Sequence, residues 1–372
     1  MFNVQERTVF LCKHGSHAYN LNTPESDIDL RGFLVEPIDH VVGIANSFEQ
    51  AENVDFSSIT GLDKELCKDT TIFGLRKFAH LANQANPNVL EILFVKEEDR
   101  FIWKNKWAEL LLDNRDLFLS KKAYSTFKGY SSHQFRRLQN HRQWIINPPS
   151  PPPTREEYGL PSMPIIPSDQ LKAAFAAIEK KLEYWNFSDM SQFDNAQRIA
   201  FSEVMAEILS EIQIGSDAKW KAAGRILGYD DNFMYLLDKE RSHNGLKQQY
   251  VQYLNWQKTR NPVRYKMEVE CGVDLKHCSH LIRLYLEVID ILDGKGLILK
   301  RPPEERELLM AFKTGKFGKQ SYDKLLEWKE LLEAKCETAN LNSTLPKQAD
   351  VLKIDDIVRE IYLRSWYKDG VI

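Results

Sequence analysis

The stretch at residues 147–167 constrains the fold of this chain more than any other, because it holds eight of the fifteen prolines. Proline has no backbone N–H to donate, and its ring clashes with the preceding turn of a helix. The stretch NPPSPPPTREEYGLPSMPIIP can therefore be neither a helix nor a central strand. It predicts an extended surface loop or linker, with different sequence patterns in the chain on either side.

The part of the chain before this loop shows both strand and helix patterns. Residues 8–12 are β-rich and residues 27–35 alternate before turning apolar, which predicts two strands. Apolar residues from Thr71 onward recur at helical spacing, which predicts a helix that ends near Asn86. Residues 89–95 form a short apolar run that fits either a strand or a helix.

Strand patterns end near residue 105, and helical periodicity dominates from there to the end of the chain. Residues 124–138 predict a basic helix, and Ser168 is placed to cap a helix at residues 169–185. The other predicted helices share the same apolar spacing and lie at residues 196–213, 233–258, 275–292, 321–334 and 354–366. We therefore predict an α+β fold, with a small mixed-sheet domain at residues 1–105 and a larger, mostly helical region at residues 106–372.

The composition excludes several classes of protein. The net charge is −3, which argues against coating nucleic acid by bulk charge but leaves room for a local basic groove. No apolar run approaches the roughly 18 residues of a membrane span, and the early charges do not fit a secretory signal. The five cysteines lack the C-x-x-C spacing of zinc sites and suit a reducing compartment. We expect a cytoplasmic protein with no membrane partner.

The stretch HGSHAYNLNTPESDIDLRG, at residues 14–32, carries the strongest chemical signal. Alternate residues of a strand share a face, so Asp27 and Asp29 are predicted to project together. Two carboxylates at this spacing can hold one or two divalent cations, which can stabilise the attacking and leaving oxygens of a phosphoryl transfer. Gly15 allows a tight turn, and the hydroxyl of Ser16 with neighbouring N–H groups can hold an anionic phosphate.

Two other interpretations of this stretch start from the same residues. The aspartates can mark an exposed strand end with an Asx-type turn and no function. A calcium loop starting at Asp27 is excluded, because Arg31 stands where such a loop has Asp or Asn and Ile38 where it has Glu. The Gly-Ser pair, placed ten residues upstream after a predicted strand, favours the interpretation as a phosphate and metal site.

The combination of Gly-Ser, ten residues and then D-I-D-L resembles the active-site signature of the DNA polymerase β-like nucleotidyltransferase superfamily. The fuller run GSHAYNLNTPESDIDLRG resembles one branch, the RNA repair pathway DNA polymerase beta family. Residues 68–94 resemble the second block of that branch, and residues 272–317 resemble its C-terminal helical block. The first motif is specific to the superfamily, whereas the other two blocks are less specific.

The resemblance implies transfer of a nucleoside monophosphate from a nucleoside triphosphate, with Mg²⁺ as cofactor and Mn²⁺ as an alternative. It implies that Gly15 and Ser16 contact the triphosphate, and that Asp27 and Asp29 ligate the metal. Members often add a third carboxylate that binds the catalytic metal and activates the acceptor hydroxyl. Our candidate for this catalytic and metal-binding role is Asp69, with Asp55 and Glu65 as alternatives. The resemblance makes residues 1–105 a nucleotidyltransferase catalytic domain.

Two groups of basic residues are further candidates for ligand binding. Lys276, His280 and Arg283 are spaced to form one stripe on a helix, which can bind phosphates of a nucleotide or nucleic acid. The alternative is a solvated helix face, or a histidine bonded within the core. Residues 121–142 mix basic with aromatic side chains, and such a mixture can track and stack on nucleic acid. On a helix, however, the aromatics more often face a core.

Taken together, these patterns predict a metal-dependent nucleotidyltransferase whose acceptor is an RNA end. Transfer to a protein hydroxyl is the alternative within the enzyme class, and the near-neutral charge is consistent with it. A nucleotide-binding regulatory module without catalysis is the alternative from another class. Both Asp27 and Asp29 argue against that module, because two adjacent carboxylates repel each other in the absence of a metal.

Overall fold

The computed structural model describes residues 2–24, 26–184, 220, 223–225 and 227–370. The chain forms two compact units, one made of Met1–Asn147 with Asn261–Ile372 and the other of Pro148–Arg260. This division differs from the expected boundary at residue 105, because the helices after residue 261 pack with the N-terminal sheet in one core. The predicted helix at residues 196–213 lies outside the described residues.

The first unit contains a five-stranded mixed sheet with the strand order β3-β4-β2-β1-β5. The central strand β2 pairs with β1 in the antiparallel sense and with β4 in the parallel sense, and β3 and β5 are antiparallel to their neighbours. The strands are β1 Thr8–His14, β2 Asp29–Leu34, β3 Gln50–Glu52, β4 Thr70–Gly74 and β5 Arg100–Ile102.

The register of the central strands brings three polar positions to one end of the sheet. His14 pairs with Asp29 at the end of the β1–β2 ladder. Leu30 pairs with Thr70 in the parallel β2–β4 ladder, so Asp69, which immediately precedes β4, lies beside Asp29. The sheet therefore juxtaposes two carboxylates that are 40 residues apart in the sequence.

Helices make up most of the remaining described structure. In chain order the helices are α1 Val4–Arg7, α2 Gly15–Ala18, α3 Leu75–Asn83, α4 Pro87–Leu90, α5 Lys106–Asp113, α6 Lys122–Ile146, α7 Ser168–Tyr184, α8 Asp231–Lys258, α9 Pro262–Cys271, α10 Leu275–Leu292, α11 Pro303–Lys313, α12 Ser321–Asn342 and α13 Val351–Lys368.

The structure corrects two local predictions from the sequence. The helix predicted from Thr71 begins at Leu75, because the preceding residues pair with strands on both sides as β4. The ambiguous run at residues 89–95 is helical, with the end of α4 followed by a 3-10 turn at Glu91–Phe94. Helices α9 and α11 were not predicted, whereas α10 has the predicted bounds.

The core of the first unit joins the sheet to the C-terminal helices. Phe33 of β2 stacks between Phe10 and Phe78, with ring centroids 5.3 Å and 4.4 Å away. Helix α10 is buried around nearly its whole circumference and packs against α6, α11 and α12. The α+β fold class is confirmed, with the mixed sheet near the N-terminus and mostly helical structure after it. No helix among the described residues is long and apolar enough to cross a membrane.

The second unit contains α7, α8 and the proline-rich segment. No helix or strand occurs between the end of α6 and the start of α7, as the prolines predict. Arg155 in this segment forms a bidentate ion pair with Glu240 of α8, with N–O distances of 2.9 Å and 2.5 Å. A small apolar cluster that includes Ile178 and Leu237 packs beneath it.

Candidate active site

A cavity of about 310 Å³ opens at the end of the sheet where the polar positions meet. Its lining comes from the loops around β1, β2 and β4 and from one face of α10. The eight leading site candidates from the sequence all border this one cavity, namely Gly15, Ser16, Asp27, Asp29, Asp69, Lys276, His280 and Arg283. The fold thus joins two sequence segments that are about 250 residues apart.

The turn from β1 into α2 brings the backbone against a carboxylate. Gly15 has a φ of +60°, a left-handed conformation that non-glycine residues rarely adopt. A Cβ atom at this position would lie 2.1 Å from Oδ2 of Asp29. Glycine therefore leaves the space that the Asp29 carboxylate occupies, and the neighbouring Ser16 borders the same cavity.

Asp27 reaches the cavity from a turn and not from a strand. The prediction that strand alternation aligns Asp27 with Asp29 is wrong in this detail, because β2 begins only at Asp29. A turn precedes Asp27, in which Thr23 N donates to Ser26 Oγ at 2.8 Å and Ser26 N donates to Thr23 O at 2.9 Å. The turn directs the chain so that both carboxylates border the cavity.

Asp69, the candidate for a third carboxylate, lies beside Asp29 and borders the same cavity. Its Oδ1 accepts a hydrogen bond from Arg31 Nη1 at 3.0 Å, and its backbone oxygen accepts another at 2.8 Å. The alternatives Asp55 and Glu65 do not line the cavity. Asp55 instead accepts from Ser57 N at 2.8 Å, and Glu65 pairs with Lys68 at the surface.

The electrostatics of the carboxylates reflect their proximity. Burial raises the pKa of Asp29, and the hydrogen bond and charge of Asp69 raise it further. Burial alone would also raise the pKa of Asp69, but its hydrogen bond with Asp29 and the charge of Arg31 hold that pKa below its ordinary value. The two groups therefore compete for one proton, as expected for carboxylates close enough to repel.

These side chains fit a divalent cation. Carboxylate oxygens are the ligands that Mg²⁺ and Mn²⁺ prefer in proteins. A cation at Asp29 and Asp69 would relieve the repulsion that raises the pKa of Asp29. The space beside Gly15 allows the Asp29 carboxylate to stay in the cavity. Asp27, Asp29 and Asp69 are the residues that would hold the metal.

The stripe on α10 borders the cavity, but its three members differ. Lys276 is exposed, and its positive charge acts on Asp69. His280 Nδ1 accepts a hydrogen bond from Arg283 Nη2 at 2.9 Å, and burial together with the Arg283 charge lowers the pKa of His280 to about 3. His280 is therefore neutral near pH 7, and Lys276 is the exposed cation of the stripe.

Arg283 is the centre of a buried ion-pair network. It is 2 % exposed and donates to Glu91 Oε1 at 2.8 Å and to Glu287 Oε1 at 2.5 Å. Its guanidinium also lies 3.7 Å from the ring centroid of Tyr19. Because Glu91 and Glu287 already accept hydrogen bonds from this guanidinium, Arg283 is not available to bind a phosphate.

Glu91 connects this network to the Gly-Ser turn. Its Oε2 accepts a hydrogen bond from the Tyr19 hydroxyl and lies 3.3 Å from His14 Nε2, while Oε1 holds Arg283. Burial alone would raise the pKa of Glu91, but Arg283 and His14 outweigh it and hold that pKa well below its usual range. Because His14 and Tyr19 flank Gly15 and Ser16, Glu91 fixes both ends of the turn.

Glu91, His14 and Tyr19 were not among the site residues predicted from the sequence. One signal was available, since Glu91 interrupts the apolar run at residues 89–95 and a charge in such a run needs a buried partner. Asn88 and Lys313 also border the cavity without having been predicted.

Most aromatic side chains of α6 face the core, although Lys128 also contacts the Tyr124 ring. Phe127 is buried, and Tyr124, Tyr130 and Phe135 pack against the core of the first unit. Arg136 and Arg137 are exposed on the opposite side. The aromatics thus face the core, which is the alternative that the helical spacing left open.

A mixed sheet with a Gly-Ser turn and three carboxylates around one cavity is the arrangement that the resemblance to DNA polymerase β-like nucleotidyltransferases implies. Residues 2–146 match the family model described as the RNA repair pathway DNA polymerase beta family. The match agrees with the resemblance predicted from the sequence, for the N-terminal part of the chain. The C-terminal block resembling the same branch lies outside the matched residues.

One curated relative extends over nearly the whole chain. A phage T4 protein described as "Uncharacterized 38.9 kDa protein in nrdC-mobD intergenic region" is 23% identical over 380 residues, with 97% of this chain and 100% of the phage protein covered. No solved structure matches the chain.

Proposed function

We propose that this protein is a divalent-metal-dependent nucleotidyltransferase that moves a nucleoside monophosphate from a nucleoside triphosphate to the hydroxyl of an RNA end. The observation that carries the proposal is the meeting of Gly15, Ser16 and three carboxylates in one cavity of about 310 Å³. The family matched by residues 2–146 supports the link to RNA repair.

The donor nucleotide would be held by groups on two sides of the cavity. The backbone of Gly15 and the hydroxyl of Ser16 would contact the triphosphate, and Lys276 would pair with a phosphate from α10. Asp27, Asp29 and Asp69 would hold Mg²⁺ or Mn²⁺. A bound cation of this kind neutralises charge on the triphosphate and lowers the pKa of an acceptor hydroxyl.

Asp69 is the candidate general base for the acceptor. Its side chain is 60% exposed, and Arg31 holds the carboxylate in place through the 3.0 Å hydrogen bond. The acceptor hydroxyl would lose its proton to Asp69 as its oxygen attacks the α-phosphorus, and pyrophosphate would leave with the electrons of the broken P–O bond.

A second cavity of about 340 Å³ adjoins the first and offers space for the acceptor. The two cavities share Ser26, Lys276 and Lys313. Two lysines at the common border favour an acceptor that carries phosphates, as an RNA end does. Transfer to a protein hydroxyl and nucleotide binding without transfer are the competing functions.

Incubation with each α-labelled nucleoside triphosphate and Mg²⁺ or Mn²⁺ tests the proposal. Parallel reactions receive RNA with a free 3′ hydroxyl, RNA with a blocked 3′ end, or purified protein alone. We expect label to move to the free RNA end in the parent and in Asp55→Asn, but not in Asp27→Asn or Asp69→Asn. Label on protein would replace the RNA acceptor by a protein one, and nucleotide binding without transfer would overturn the enzymatic proposal.

A further inference from the structure

Two histidines and an aspartate meet between α6 and the start of α10, in the first unit. His141 Nδ1 lies 2.9 Å from Asp274 Oδ2, and His277 Nδ1 lies 2.8 Å from the same oxygen. The three ligand atoms all lie within 4.8 Å of one another. We propose that these residues form a second metal site, for a transition-metal cation such as Zn²⁺, separate from the carboxylates of the candidate active site.

Two of the three separations between ligand atoms are near the spacing of ligands around a first-row transition metal. Tetrahedral zinc lies about 2.0–2.2 Å from nitrogen and oxygen ligands, which places the ligands about 3.3 Å from one another. The observed separations of 2.8 Å and 2.9 Å are close to that value, so a small rotation of each imidazole admits a cation.

The orientation of the His277 ring is unusual for a histidine beside a carboxylate. His277 Nδ1 is buried and makes no hydrogen bond with the described residues, although Asp274 Oδ2 is only 2.8 Å away. A hydrogen bond at this distance requires the N–H to point at the oxygen. The ring therefore presents a buried nitrogen without a described hydrogen bond, beside a carboxylate oxygen that His141 already contacts at 2.9 Å, and one shared cation would coordinate all three groups.

The ligand atoms at this second site differ in type from those of the candidate active site. Imidazole nitrogens suit Zn²⁺ and Co²⁺, whereas Mg²⁺ prefers oxygen ligands. Asp274 is fully buried, and the side chains of His141 and His277 are 12% and 18% exposed. Burial of a carboxylate beside two imidazoles favours a partner that carries positive charge.

A cation at this site would connect α6 to the first turn of α10. Asp274 caps α10 by accepting a hydrogen bond from His277 N at 3.1 Å, and His141 comes from the far end of α6. A cation held by all three residues would tie the two helices together at the first turn of α10. That turn carries Lys276 into the cavity that contains Asp69. The site would therefore hold Lys276 in place without contacting the nucleotide.

Metal binding without nucleotide tests the proposal, so the result does not depend on transferase activity. The full-length protein is tested with Asp27→Asn and Asp29→Asn, which remove two carboxylates of the candidate active site. This protein is dialysed against Zn²⁺ in the presence of excess Mg²⁺. We expect one Zn²⁺ per chain, a Co²⁺ derivative with the absorption of a tetrahedral site, and a higher melting temperature when Zn²⁺ is added.

Single variants identify the ligands in the same background. His141→Gln and His277→Gln are each expected to weaken Zn²⁺ binding by about tenfold or more and to abolish the Zn²⁺-dependent rise in melting temperature. His133→Gln, an exposed histidine on the same helix α6, is the matched control and should bind like the parent. Absence of Zn²⁺ uptake by the folded parent, or unchanged uptake in both ligand variants, would overturn the proposal.

Discussion

The backbone of Gly15 runs so close to Asp29 that a Cβ atom there would lie 2.1 Å from the Asp29 Oδ2 atom. Gly15→Ala would therefore displace the Asp29 side chain and force a non-glycine residue into a φ of +60°. The left-handed conformation costs about 1–2 kcal/mol, whereas displacement of a carboxylate proposed to hold the metal should remove nearly all nucleotide transfer. Thermal melts and the transfer assay measure the two effects separately.

Gly318→Ala is the matched control for this variant. Gly318 has a φ of +53°, but a Cβ atom there would meet nothing within 4 Å. We expect both variants to lose similar stability and only Gly15→Ala to lose activity. Equal activity losses would show that the contact with Asp29 has no catalytic importance.

Lys276 and Arg283 should respond in opposite ways to replacement by alanine. Lys276→Ala is expected to weaken nucleotide binding with little effect on stability, since the side chain is exposed. Arg283→Ala should destabilise the fold by about 3–5 kcal/mol, because it leaves buried Glu91 without its ion-pair partner. Denaturant unfolding and titration with labelled nucleotide give both quantities. A stable Arg283→Ala variant with selectively weakened nucleotide affinity would instead assign Arg283 to phosphate binding.

Asp29→Asn is expected to stabilise the metal-free protein at neutral pH while it abolishes transfer. Because the folded state raises the pKa of Asp29, ionisation of this group opposes folding as pH rises above the ordinary value of 3.8. The gain from the variant should therefore shrink as pH falls towards that value. Melting temperatures in EDTA over this range check the sign, and a large loss of stability at neutral pH would mark Asp29 as structural.

Glu91→Gln should show the opposite dependence on pH. The folded state lowers the pKa of Glu91, so its charge contributes stability that is fully present above the ordinary value of 4.5 and is lost at lower pH. We expect the parent to be more stable than the variant at neutral pH, with a difference that narrows once pH falls below 4.5. Glu287 can still pair with Arg283 in the variant, so the loss should be smaller than for Arg283→Ala.

Local signals in the sequence were sufficient for much of the fold. The bounds of α10 follow from the Asp274 cap and an apolar helical pattern, and both are properties of neighbouring residues. The strand β4 was missed because Ile72 suits the apolar face of a helix as well as a strand, and only pairing with β2 and β3 decides between them.

The sequence by itself determined the Gly-Ser turn and the carboxylates Asp27 and Asp29, because short-range spacing is enough to recognise that motif. Only the tertiary structure placed Asp69 beside Asp29, through the parallel β2–β4 register, and so favoured it over Asp55 and Glu65 as the proposed third carboxylate. The tertiary structure also made Lys276 exposed and Arg283 buried, although both lie on one stripe of the same helix. Sequence spacing fixes the face of a helix on which a residue lies, whereas burial and ion pairing depend on the distant segments that pack against that face.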